Sequence, residues 1–188
     1  TTGVDQGWAT FGGSQSDMSS ATSVPEDGSY ALLAQNGAGN NWNPQGAYQI
    51  VSGIVANDTY TLSAYYLIDS SSGNTGTYGT PFAAQLGFGN LTAGGWVADG
   101  PSYTFGFGNA GPNDGAAPAL DTWYNESGTA LAPDGATEAV VYMFYMDNGQ
   151  TTVDQMYIDN ASLVVASVPE PTTLALAGLG GVSLLSLI

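Results

Sequence analysis

Residues 46–67 read GAYQIVSGIVANDTYTLSAYYL, and the second half of that string decides the fold. From Thr59 to Leu67, Tyr60, Leu62, Ala64 and Tyr66 fall on one face while Thr61, Ser63 and Tyr65 fall on the other, the period-two alternation of a half-buried β-strand. Working outward, similar short β-branched or aromatic runs recur at 29–34, 47–52, 82–88, 102–107, 137–146 and 155–165, so seven strands are expected with that at 59–68. Gly, Asn, Asp, Ser and Thr punctuate them every few residues, and helical periodicity is missing before the last twenty positions, a pattern that predicts an all-β sandwich. The run from Ala139 to Met146 is apolar on both faces, as a central, covered strand would be. The Gly/Asn/Pro-rich stretches at 36–44, 69–81 and 108–118 are expected outside the sheets.

Composition excludes more than any motif asserts. The chain has 188 residues with no Lys, Arg, His or Cys, and 16 acidic residues give a formal charge of −16. Phosphate clamps, Walker and Schiff-base lysines and arginine contacts to nucleic acid all need a side-chain cation, so no nucleotide or nucleic-acid partner is expected. Without His or Cys there is no His-dependent triad, thiolate nucleophile, disulfide or ordinary zinc or haem site. Carboxylates, hydroxyls and aromatic rings are what remain for chemistry. The 12 Asp and 4 Glu form no recognisable glycosidase or aspartic-protease motif, and no enzyme activity is expected. Those carboxylates either form a plain acidic surface or recruit divalent cations.

The composition changes at Val168, where VPEPTTLALAGLGGVSLLSLI (168–188) sets a Pro-Glu-Pro break before an uncharged apolar stretch. The predicted organisation is therefore a β-sandwich over 1–166 followed at 167–188 by the motif and a C-terminal apolar helix. As a helix, residues 172–188 would span about 25 Å, slightly short of the roughly 30 Å of bilayer hydrocarbon.

Val168, Pro169, Glu170 and Pro171 with the Leu/Ala/Gly-rich run resemble the PEP-CTERM sorting signal of bacterial surface proteins. The resemblance implies export, handling by an exosortase, and an extracellular or outer-surface location. The basic cluster that closes that signal in the family is missing here, and the chain opens on TTGVDQGW without a charged n-region. Residues 46–67, with TWYNESGTALAPDGATEAVVYMFY (122–145) and MYIDNASLVV (156–165), resemble the galactose-binding-type jelly rolls of carbohydrate-binding modules. Of the strand that opens such modules only Gly7–Trp8 is visible, so the sheet edge beside it is expected to be weak.

Three groups of candidate functional residues follow. The jelly-roll resemblance implies a structural calcium on Asp159, and DNGQTTVDQMYIDN (147–160) adds Asp147 and Asp154; the competing role for Asp159 is to cap a turn. Trp42 and Trp96, in Gly-rich stretches, are candidate glycan contacts, with loop packing or a protein interface as the alternatives, whereas Trp8 and Trp123 are expected to pack in the body of the fold. Leu174, Leu176, Leu179, Val182, Leu185 and Ile188 form the apolar face of the tail, which needs cover from a membrane, from the chain's own groove or from neighbouring subunits. Two functions are consistent with this: a structural protein of the cell surface or matrix that self-assembles into a filament or other homo-oligomer through the tail, or a carbohydrate-binding module anchored by it, with polysaccharide as partner.

Overall fold

The structure, a computed structural model, describes residues 7–11, 18–21, 25–36, 41–70, 82–106, 119–148 and 154–166. The sorting-motif residues Val168 to Pro171 and the apolar residues from Leu174 to Ile188 lie outside the described residues. Among the described residues are eleven strands: β1 (Ala9–Phe11), β2 (Met18–Ala21), β3 (Ala31–Asn36), β4 (Asn41–Ser52), β5 (Thr59–Ile68), β6 (Phe82–Thr92), β7 (Gly95–Ala98), β8 (Tyr103–Gly106), β9 (Tyr124–Leu131), β10 (Glu138–Asn148) and β11 (Asp154–Val165). They form two antiparallel sheets. Sheet A runs β1-β4-β10-β6-β7 with β8 also paired to β6, and sheet B runs β2-β3-β11-β5-β9.

The alternation at 59–68 does what its period requires: Tyr60, Leu62, Ala64, Tyr66 and Ile68 of β5 are buried in the core. Facing them from sheet A are Ala84, Leu86 and Phe88 of β6 and Ala139, Val141 and Met143 of β10. Burying a side chain of leucine or phenylalanine size contributes roughly 1.5–3 kcal/mol, so this interface supplies the main stabilisation. One close approach ties the sheets together. A Cβ on Gly128 of β9 would fall 1.8 Å from the Phe105 ring, so the absence of a side chain there is what admits that ring from sheet A.

Trp8 packs against this core, as expected, and Trp123 packs against a smaller cluster of Ala31, Leu67 and Tyr157. Glu126 of β9 is paired in register with Ala64 and is buried, 8% exposed. Burial together with the neighbouring Glu126 carboxylate pushes the Tyr66 phenol well above the ordinary tyrosine range.

Two expectations are corrected. An opening strand follows Gly7–Trp8 as β1, a three-residue partner for β4 at Gly46 to Tyr48. Residues 41–44, expected in a loop, begin β4. Pro44 is tolerated there because, among the described residues, β1 pairs β4 only at Gly46 to Tyr48, and the start of β4 pairs with β10 alone.

Candidate functional site

Register determines which side chains share the outer face of sheet A. Met143, Val141 and Ala139 of β10 point into the core, so Phe144, Tyr142, Val140 and Glu138 point away from it. Tyr142 pairs across to Tyr48 of β4 on one side and to Gln85 of β6 on the other, and Gln85 in turn pairs to Thr104 of β8. One row across four strands therefore reads Tyr48, Tyr142, Gln85, Thr104. The next row reads Phe11, Gly46, Phe144, Ala83.

Four rings from three strands meet in these rows. Phe11 lies 5.6 Å from Tyr142 in an edge-on arrangement, 6.2 Å from Phe144 and 6.4 Å from Tyr48, while Tyr48 and Tyr142 are 5.7 Å apart. Pairs of this geometry contribute about 0.5–1.5 kcal/mol each beyond the area they bury, which holds the rings as a pre-formed surface. Each ring is half-buried by its neighbours and keeps part of its area exposed. Gly46 is the partner of both Phe11 and Phe144, and a Cβ there would collide with the Met143 carbonyl and the Phe144 backbone. A glycine at that position lets the two phenylalanines close over it.

Beside the rings the face turns polar and small. Gln85 Nε2 donates to Thr104 Oγ1 at 3.0 Å. Further along the strands, Gly87 and Gly89 of β6, both buried, pair with Val140 and Glu138. Glu138 accepts hydrogen bonds from the Leu91 N–H and from Ser52 Oγ, which fix its carboxylate against the sheet. An apolar, aromatic surface with a few fixed polar groups suits a ligand that has both C–H faces and hydroxyls.

The sequence candidates are placed differently. Trp96 lies on edge strand β7, half-buried, at the far end of this same face. Trp42 lies in β4 and not in a loop, with its side chain outside the described residues. Asp147 falls near the end of β10 and Asp154 at the start of β11, and the side chains of both also lie outside the described residues.

Asp159 acts as a cap. A bulge in β11 after Asp159, with Asn160 at φ 49°, leaves its Oδ2 to accept the backbone N–H of Glu26 at 2.9 Å and of Asp27 at 3.3 Å. Its Oδ1 accepts the Asn160 N–H at 2.8 Å, and Asn160 Nδ2 donates to Glu26 Oε2 at 2.5 Å. One carboxylate oxygen is thus engaged with the turn at 26–28 and the other with its own strand, and among the described residues no group of three His, Cys, Asp or Glu side chains is arranged to hold a metal ion.

Phe11, Tyr48, Tyr142 and Phe144 were not singled out from the sequence. The available signal was the apolar outer side of the strand at 139–146, which a strand merely covered on both faces would also show.

No protein-family model and no curated protein matches this sequence. Solved structures with a similar fold include a family 61 carbohydrate-binding module in complex with β-1,4-galactotriose, at TM-score 0.56 and 11% identity over 85% of this chain and 88% of that one. The C-terminal family 22 carbohydrate-binding module of Clostridium thermocellum Xyn10B aligns at TM-score 0.54 and 22% identity, covering 88% of each chain. The enzymatically active domain of bacteriophage CBA120 tailspike protein 4 aligns at TM-score 0.58 and 14% identity over 85% of this chain, which spans only 19% of the phage chain. At these identities the likeness defines the fold: an all-β sandwich of the jelly-roll type found in carbohydrate-binding modules.

Proposed function

We propose that this chain is a non-catalytic module that binds a neutral polysaccharide on the outer face of sheet A. The observation that carries this reading is the cluster of Phe11, Tyr48, Tyr142 and Phe144, bordered by Gln85 and Thr104. The rings offer surfaces for the C–H faces of sugars, and the amide and hydroxyl offer donors and acceptors for their hydroxyls. Charge narrows the ligand. A chain with no side-chain cation and a formal charge of −16 has nothing to neutralise uronate or sulfate groups and repels both. Glu138 is the one carboxylate among the described strand residues of this face, whereas hydrolysis of a glycosidic bond ordinarily needs two. Polysaccharide as partner fits an exported protein, and the described part of the tail-bearing chain offers more for the carbohydrate reading than for filament assembly, which was inferred from residues beyond Ala166.

The test is retention on immobilised neutral polysaccharides, β-1,4-galactan and xylan first, beside polygalacturonate. Retention on at least one neutral glycan and none on the polyuronate is expected. Retention on the acidic polymer alone, or on nothing, overturns the reading.

A further inference from the structure

Resting on that reading, we infer that Trp96 is a second contact for the same glycan, so that the protein holds a chain along its length and not a single terminal sugar. In the β6–β7 hairpin Leu91 pairs with Trp96 and Gly89 with Ala98, which puts Trp96 on the same side of the sheet as Gly89. Gly89 pairs with Glu138, on the side that carries Tyr142. A Cβ on Gly89 would lie 2.9 Å from Trp96 Cζ2, so the indole rests over bare backbone on the outer face.

Tyr142 and Glu138 are four residues apart on β10, about 13 Å at ~3.3 Å per residue, and Gly89 lies one strand further, roughly 4.8 Å aside. The tyrosine pair and the indole therefore stand at opposite ends of one face, with the buried residues Gly87 and Val140 in the sheet between them. A single sugar cannot reach both ends; a linear oligosaccharide can. The hairpin also presents the indole in a fixed position. Thr92 Oγ1 donates to the Gly95 carbonyl at 2.9 Å and accepts the Gly94 N–H at 3.2 Å, and a turn pinned this way loses little further freedom on binding. Leu91, 54% exposed, extends the apolar surface next to it. The Glu138 carboxylate lies at the indole end, paired with Gly89, where its remaining lone pairs accept hydrogen bonds from hydroxyls of the bound chain.

The experiment is calorimetric titration of the whole chain with β-1,4-linked galacto- and xylo-oligosaccharides from disaccharide to hexasaccharide, for wild type, Trp96→Ala, Trp96→Phe and Tyr142→Ala. Wild-type affinity is expected to rise with length. Trp96→Ala should match wild type on the disaccharide and fall about ten-fold behind it on the hexasaccharide, a difference of ~1.4 kcal/mol. Trp96→Phe should keep most of the length dependence, and Tyr142→Ala should lose affinity at every length. If Trp96→Ala weakens all lengths equally, or none, Trp96 is a packing residue and the inference fails while the carbohydrate reading stands. If wild type binds no oligosaccharide of any length, both fail.

Discussion

Asp159 holds two distant parts of the chain together through its carboxylate. Both of its oxygens are engaged by backbone amides, of its own strand and of the turn at 26–28. Such a bond involves residues separated by 133 positions, which no local pattern reveals. Asp159→Ala should therefore cost about 1–2 kcal/mol, the loss of charge-assisted bonds to part-exposed amides, measured by urea unfolding in the presence of a chelator. Tyr66 supports a second prediction. Its folded-state pKa lies above the ordinary value near 10, so the folded chain binds the phenolic proton more tightly than the unfolded chain does. The associated stability is fully present below pH ~10 and is lost as pH rises towards the folded-state value. Thermal melts across pH 9 to ~12 should show a decline in wild type that is shallower in Tyr66→Phe. Equal slopes would contradict it.

Among the elements, β5 is readable in the sequence because its alternation holds from Thr59 to Tyr66, whereas the periodicity of β9 is not readable. Its inward positions include Tyr124, Glu126, Gly128 and Ala130, and a carboxylate and a glycine break the apolar period that would announce a strand. With three and four residues, β1 and β2 are too short to display any period. The candidate site shared this difficulty. Its rings come from β1, β4 and β10, and only the pairing register brings them together, whereas a tryptophan is conspicuous in the sequence by itself. The element that looks weakest in sequence is mechanically critical. Gly128→Ala would drive a methyl into the Phe105 ring and should destabilise the sandwich by about 1–3 kcal/mol, read as a lower midpoint of chemical denaturation. An unchanged midpoint would mean that the two sheets are not in the close contact described.

For the whole molecule, charge sets both stability and partner. With 16 carboxylates and no side-chain cation, repulsion within the folded chain is relieved only by counterions, so the melting temperature should rise as monovalent salt increases from low concentration. Affinity for a neutral glycan should stay constant over the same range, because no ion pair forms on binding; a steep loss with salt would point to a charged ligand. The all-β architecture was legible because strand periodicity and turn chemistry agree along much of the chain. The location of the site was not, since a sheet face is a property of several strands at once. The most direct measurement is an amide chemical-shift titration of the protein with the neutral oligosaccharide it retains best. The account predicts shifts concentrated at Tyr48, Gln85, Thr104 and Tyr142 on sheet A, extending to Trp96 with longer chains. Shifts confined to sheet B, or spread without regard to either face, would contradict it.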